Sequence, residues 1–461
     1  MKDPNPLFIS PENMALATDL YELTMAAGYF DTGIEDRFTF ELFVRDLPPN
    51  RNYLLAAGLE QVAHFVTRLR FSDDSISYLQ SLKPFEHISA EFFDYLRSFR
   101  FSGDVLALEE GTVFFPGEPV LIVSGSPVEA QILETFLLST VNLQTVVASK
   151  AARVVHAAQG RSVIDFGSRR AHGPQAGVLA ARACYIAGCT GTSNVLAAKE
   201  LGIPAVGTAA HSWTMAFDTE EDAFRAYYSA FPDTTILLVD TYNTIEGTKT
   251  AARIGEALKG VRLDSGDIAE LSKRVRKILD KRGLVNVKIV ASGDLNEYKI
   301  SRILSSGGLV DVFGVGTEMV TSADAPSVSA VYKLVERCKG KTRRPVIKLS
   351  EDKMTAPGAK HLYRFRTSDR LFDHDLLTHT SELAPEGAES LLKPVIQCGK
   401  ITYDLPSIQD TRSRAQSQID SLPPALRALD QAPVYPVRLS DHLQGLRSQA
   451  SSGLPASGKE A

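Results

Sequence analysis

Between residues 161 and 314 the chain alternates short apolar, β-rich runs with longer segments of helical period, and nothing else in it constrains the fold as much. The runs end in Asp165, Thr208, Asp240, Asp264, Ser292 and Gly314. The pattern predicts strand 161–165 with helix 174–187, then a helix at 193–201. Strand 203–208 precedes helix 219–230, and strand 235–240 precedes helix 245–258. Strand 261–263 leads to helix 267–281, strand 286–291 to helix 295–305, and strand 310–314 closes the set. Strands that alternate with helices of this length pair in parallel through right-handed crossovers. About six strands are legible where a closed barrel needs eight, so the fold class is α/β with an incomplete or irregular TIM-like barrel. Polar strand ends in such a series gather on one face, where these folds do chemistry. The expectation is an enzyme.

The flanks read differently. Residues 14–30 carry an amphipathic helical pattern with Thr18 or Asp19 as cap, and 36–45 alternates apolar and polar as a half-buried strand does. Helical patterns at 58–70 and 89–99 precede strand-like runs at 104–109 and 119–123. This defines an N-terminal α+β domain over 1–125. A long helical region, 127–159, opens the barrel domain, 126–340. Strands and turns return in a C-terminal strand-rich segment, 341–420, expected to pack on the N-terminal domain. Residues 421–461 form a tail with Pro423, Pro424, Pro433 and Pro436, read as partly disordered, the last dozen residues in particular.

At 461 residues the chain exceeds one ordinary core, and 44% hydrophobic with 23% charged residues is a globular composition. A net charge of −5 offers no basic surface for nucleic acid, so any phosphate must be held by local Arg, Lys and backbone N–H groups. Met1 to Pro6 lacks the apolar run of a signal peptide, and no apolar stretch near 18 residues is free of charge. A cytoplasmic protein without membrane contact is expected. The four cysteines form no Cys-x-x-Cys pair and read as reduced packing residues.

Four segments carry chemistry. Asp165-Phe166-Gly167-Ser168-Arg169-Arg170 sets an aromatic ring beside two guanidinium groups at a strand end, which suits a planar anion: Phe166 can stack while an arginine binds a carboxylate. The same residues also suit core packing and surface ion pairs. His211 follows the run 203–208 and can serve as base, ligand or phosphoryl acceptor, or simply as a structural histidine. In Arg262-Leu263-Asp264-Ser265-Gly266-Asp267, Ser265 or Asp267 can cap the next helix. Capping leaves Arg262 and Asp264 unexplained; Asp264 can accept ribose hydroxyls or hold Mg²⁺ while Arg262 meets a phosphate. Asp240 and Asp294 can add carboxylates for the same sugar or metal. Phe313-Gly314-Val315-Gly316-Thr317 lets backbone N–H groups approach an anion, as late loops of βα barrels do. Lys333, Arg344, Lys348 and Lys353 can reach phosphates, but a basic run is usually a solvated face.

Taken together these segments resemble the nicotinate phosphoribosyltransferase family, of the type II phosphoribosyltransferase fold. The likeness rests on Thr18 to Met25, Phe40 to Arg45, Asp165 to Pro174, Gly191 to Leu196, Gly207 to Trp213, Arg262 to Asp267 and Phe313 to Thr317, in consistent order from about residue 14 to 365. The resemblance implies transfer of phosphoribose from 5-phosphoribosyl pyrophosphate to nicotinate, giving nicotinate mononucleotide and pyrophosphate in NAD salvage, with ATP as co-substrate. It implies that His211 is phosphorylated by ATP, that Phe166 stacks on the pyridine and that Arg169 lies near its substituent, with Ser193 and Ser212 close by. It places Arg262, Asp264 and Asp294 around ribose and pyrophosphate, and Gly314, Gly316 and Thr317 on the 5′-phosphate. It makes Asp19 and Tyr21 residues delivered across a homodimer interface to a shared site. Mg²⁺ enters through the substrate pyrophosphate, with no direct side-chain ligand assigned.

The nearest alternative is nicotinamide phosphoribosyltransferase, which carries an Asp on the pyridine amide where this chain has Ser193. A carboxylate there repels nicotinate, so its absence favours the acid, as does the Arg169-Arg170 pair. Quinolinate phosphoribosyltransferase lacks the His211 motif. A non-catalytic binding protein on the same fold predicts lost strand-end polar groups, which are all present. An aldolase-like barrel needs a strand-end lysine, and none is predicted.

Overall fold

The computed structural model describes residues 7–348 and 356–452. The expected strands at 161–165, 261–263, 286–291 and 310–314 form, at Ser162–Asp165, Gly260–Leu263, Lys288–Ala291 and Val312–Val315. They are joined by Gly191–Thr192 at one edge and Ile236–Leu238 at the other in a six-stranded parallel sheet. Val163, Val261, Leu263, Ile289, Ala291, Phe313 and Val315 are buried along it, as expected of strands covered on both faces. Among the described residues no strand closes the ends.

The opening lies where a strand was expected at 203–208. That segment makes one parallel bridge, Thr192 to Ala205, with hydrogen bonds from Thr192 N–H to Pro204 O at 3.0 Å and from Val206 N–H to Thr192 O at 2.8 Å. Pro204 has no N–H to continue a ladder, and only Ile203 in the segment is buried. The edge therefore runs out into a loop that carries His211.

The expected N-terminal elements are present as helices Leu20–Asp31, Leu59–Arg68 and Ala90–Ser98 and strands Arg37–Val44, Asp104–Leu108 and Pro119–Gly125. The strands belong to a seven-stranded antiparallel sheet. Its other four members, Ala330–Lys339, Thr342–Pro345, Leu392–Gln397 and Lys400–Ile401, come from far along the chain. Strand Ala330–Lys339, short of the boundary expected at 340, pairs with Arg37–Val44, and Leu392–Gln397 pairs with Asp104–Leu108. A third sheet joins Lys360–Arg366, Phe372–His379, Glu389–Ser390 and Val437–Leu439.

The long helical region breaks at Ile132-Leu133 into Pro127–Gln131 and Glu134–Ala157. Residues 127–157 are long and apolar enough to cross a membrane by length and composition alone, yet 61% of the most apolar window is buried against the rest of the chain. Helix Glu134–Ala157 is the central core helix, with Leu137, Val147, Ala148, Ala151 and Val154 at 0% exposure.

Part of the tail expected to be disordered is built in. Tyr435 is buried, its ring stacks on Phe115 and its hydroxyl donates to Asp375 at 2.9 Å. Asp375 in turn pairs with the fully buried Arg364. Leu443, in helix Asp441–Ser452, is also buried. Of the last dozen residues, 453–461 lie outside the described residues.

Candidate active site

Three of the four chemistry-bearing segments meet in one cavity of about 500 Å³ at the C-terminal ends of the parallel strands. Its wall includes Phe166, Arg169, Arg262, Asp264, Asp294, Gly314, Gly316 and Thr317, all expected, with Arg170, Ser265, Ser292 and Lys299 beside them. Backbone hydrogen bonding explains the meeting of the first and last segments: Phe166 N–H donates to Val315 O at 2.8 Å across adjacent strands. The Phe166 ring lies over Gly314, where an added Cβ would stand 2.4 Å from a ring carbon. Only glycine leaves room for that ring.

Asp165, almost fully buried, braces the strand end. Its side chain accepts from Gly167 N–H at 2.8 Å and from Thr192 Oγ at 2.7 Å, and its carbonyl accepts from Ser193 N–H at 2.8 Å. Burial pushes its carboxyl up, and the Thr192 and Gly167 hydrogen bonds oppose that rise. Ser193 is thereby fixed beside the Phe166 strand but is not on the cavity wall.

The Arg262–Asp264 segment is organised from behind by Asp240. Asp240 Oδ2 accepts from Asp264 N–H at 2.9 Å and from Ser265 Oγ at 2.7 Å, while its buried Oδ1 has no hydrogen-bond partner. Asp240 is thus a support rather than part of the wall. Asp264 accepts from Ser292 Oγ and lies 3.8 Å from Arg262 Nη2. Arg262 also donates to Thr208 Oγ, which ties the open edge to the strand. Burial pushes Arg262 down, opposed by the negative charges of Asp264 and Asp240. Its buried Nε has no partner, so the guanidinium retains capacity for an anion.

His211 opens the short helix His211–Met215. Its Nδ1 is 3.3 Å from Thr241 Oγ and its Nε2 is 3.9 Å from Asp264 Oδ2. The histidine therefore stands at the rim, beside the carboxylate that faces the cavity. Ser212 follows it and is exposed.

Asp19 and Tyr21 lie on the N-terminal domain and are not on this wall. Thr135 Oγ donates to Asp19 Oδ2 at 3.2 Å. Tyr21 is 45% exposed, with Leu20 at 48% and Met25 at 39% on the same helix. Burial, with Glu134 and Glu22 nearby, pushes the Tyr21 phenol up. Lys333, Arg344 and Lys348 are also off the wall, and Lys353 lies outside the described residues.

Lys299 was missed from sequence, although it stands only five residues after Asp294. Its Nζ donates to Asp294 O at 2.7 Å, which curls the 292–296 loop against the cavity. Asp294 itself is held at φ +46°. A buried ion cluster supports two of the loops: Lys150 Nζ lies 2.7 Å from Glu297 Oε2 and 2.8 Å from Asp324 Oδ1, and Arg51 pairs with Asp324 at 2.8 Å. Glu297 begins the helix after the Asp294 loop, and Asp324 follows the helix that begins at Thr317. Neighbouring lysines and acids far apart in sequence gave no local signal for this cluster.

An open parallel barrel whose strand ends carry an aromatic ring, arginines, carboxylates and a Gly-x-Gly loop is the arrangement of barrel enzymes that bind phosphorylated small molecules. Family models agree along nearly the whole chain. Residues 16–142 match the nicotinate phosphoribosyltransferase N-terminal domain, 161–374 the nicotinate phosphoribosyltransferase family and 378–447 its C-terminal domain. The nicotinate phosphoribosyltransferase pncB2 of Mycobacterium tuberculosis is 45% identical over 94% of this chain and 92% of its own. That of Bacillus subtilis is 36% identical over 93% and 94%. The crystal structure of human nicotinic acid phosphoribosyltransferase superposes with a TM-score of 0.84 at 30% identity, covering 94% of this chain and 99% of that one. The chain belongs to the nicotinate phosphoribosyltransferase family, a family of enzymes.

Proposed function

We propose that this chain transfers phosphoribose from 5-phosphoribosyl pyrophosphate to nicotinate in NAD salvage, coupled to ATP hydrolysis through phosphorylation of His211. The observation that carries the reading is the single cavity in which Phe166, seated on Gly314, faces Arg169, Arg262, Asp264 and the Gly314-to-Thr317 loop.

That geometry supports a role for each residue. Phe166 offers a flat apolar face for the pyridine, and Arg169 supplies a fork for its carboxylate. Ser193, held to Asp165, presents no negative charge to that carboxylate. Backbone N–H groups of Gly316 and Thr317, at the start of a short helix, suit the 5′-phosphate. Asp264 and Asp294 accept ribose hydroxyls, and Arg262 pairs with pyrophosphate oxygens. The pyridine nitrogen is already a nucleophile, so the pocket need only align it behind C1 of the ribose while the C1–O bond to pyrophosphate breaks. Negative charge then builds on the leaving pyrophosphate, and Arg262 is poised against it.

Among the described residues no group of three or more His, Cys, Asp or Glu side chains forms a metal cage. Mg²⁺ fits as an ion carried by the pyrophosphate, with Asp264 as contact and the unpartnered Asp240 Oδ1 behind it. When bound it would neutralise part of the leaving group's charge. Phosphorylation of His211 adds roughly −1.5 to −2 charges if it resembles other phospho-residues. That charge arrives beside Asp264 and so reorders the carboxylate and Arg262 before transfer. The exposed Leu20, Tyr21 and Met25 support a homodimer in which this helix reaches the neighbouring site. We place the protein in the cytoplasm.

The test is mass spectrometry of products from 5-phosphoribosyl pyrophosphate, Mg²⁺ and ATP with equimolar nicotinate and nicotinamide. Nicotinate mononucleotide is expected to dominate. Dominant nicotinamide mononucleotide would overturn the roles given to Arg169 and Ser193.

A further inference from the structure

A second cavity, of about 450 Å³, shares no residue with the first and lies at the opposite end of the barrel. Gln159 and Gly160, on its wall, immediately precede strand Ser162–Asp165, whereas the catalytic cavity lies beyond that strand's far end. Its polar lining is His156, Gln159, Ser301, Gln416, Asp420 and Arg427. Core helix Glu134–Ala157, helix Glu297–Ser305, helix Ile408–Asp420 and the turn Pro424–Arg427 each supply part of it.

Among the described residues the wall carries one cation, Arg427, and one acid, Asp420, and the two form no ion pair. Arg427 is half-buried, and among the described residues its guanidinium has no hydrogen-bond or ion-pair partner. Arg153, one turn before His156 and behind this wall, is by contrast satisfied: it bonds Glu297, Tyr298 Oη and Leu429 O. Arg427 shares this wall with His156, and burial, then the positive charges of Arg427 and Arg153, push His156 down. The opposing acid, Asp420, is engaged by Gln416 Nε2 at 3.0 Å. A guanidinium left without an anion on the wall of a cavity lined by both polar and apolar groups is a recognition feature for a carboxylate or phosphate.

We propose that this cavity binds a sugar phosphate of mononucleotide size, its phosphate on Arg427 and His156 and its ribose hydroxyls on Asp420 and Gln416. Its volume falls within the range of small-ligand sites. A bare phosphate would meet Asp420 as a like charge, whereas a sugar uses that carboxylate as an acceptor. Through Ser301 the site rests on the helix whose preceding loop carries Asp294.

Equilibrium dialysis of the full chain against labelled AMP tests this, with inorganic phosphate as the second probe. Wild type is expected to bind one more AMP per chain than the Arg427→Leu variant, whatever the catalytic cavity itself takes up. His156→Gln, which keeps the shape of the wall, is expected to weaken that additional binding about tenfold, the scale of one charge-assisted hydrogen bond. Equal AMP stoichiometry in wild type and Arg427→Leu would overturn the site. Inorganic phosphate that binds there as tightly as AMP would overturn the assignment to a sugar phosphate.

Discussion

The Phe166 ring occupies the space that a side chain at residue 314 would fill, so aromatic and glycine are two halves of one feature across adjacent parallel strands. The contact links the residue proposed to stack on the pyridine with the loop proposed to hold the 5′-phosphate. Gly314→Ala forces the ring to turn, and overpacking of this kind costs about 1–3 kcal/mol. Since the ring borders a cavity, the expected effect is on substrate: KM for nicotinate rises about ten- to a hundredfold with a thermal midpoint near wild type. Steady-state kinetics with nicotinate varied would show it. An unchanged KM would separate Phe166 from the pyridine.

His211 stands 3.9 Å from Asp264 and within reach of Thr241. His211→Ala is expected to abolish stimulation by ATP and to leave a slow, ATP-independent transfer. Product formation with and without ATP measures this directly; ATP stimulation of normal size in the variant would remove His211 from the coupling.

Lys150 lies between Glu297 and Asp324, with 1% of its side chain exposed. Lys150→Met removes one of the two cations that pair with the fully buried Glu297, and the cost is expected to stay below the roughly 3–5 kcal/mol of a buried charge left with no partner. Arg153 still reaches Glu297 and Arg51 still reaches Asp324, so the chain is expected to fold with lowered stability in urea titration. A variant as stable as wild type would show that the cluster is not a support.

Glu220 carries a buried Oε1 without a partner, and burial raises its carboxyl to about 6 from 4.5. A raised carboxyl favours the folded state while neutral: that contribution is complete below about 4.5 and is lost as pH rises through 6. Glu220→Gln is therefore expected to raise the melting temperature above pH 6, with the gap closing as pH falls toward 4.5. Melting curves across pH 4 to 8 check the sign, and a gap that grows in acid would refute it.

The parallel strands were legible because burial on both faces leaves continuous apolar runs, as in 286–291 and 310–314. Phe166, Arg262, Asp264 and the Gly314 loop were legible because strand ends in such a series must share a face. The run 203–208 misled, since its composition is strand-like while Pro204 and exposure prevent a ladder. Asp240, read as a carboxylate for sugar or metal, stands behind Asp264, its Oδ2 taken by Asp264 N–H and Ser265 and its Oδ1 without a partner, a placement that only the folded chain reveals.

Local pattern and chemistry in the sequence determined the barrel class, the face that bears the site and most of its wall, since each depends on neighbours a few residues apart. Tertiary structure alone decided that Ala330–Lys339 completes the N-terminal sheet, that Tyr435 seals a core against Phe115, and that Lys150 joins Glu297 to Asp324. These contacts link residues far apart in the chain, and a buried charge shows in a sequence only as a charge. Its partner is selected by burial, where the cost of leaving it unpaired is paid only once the chain has folded.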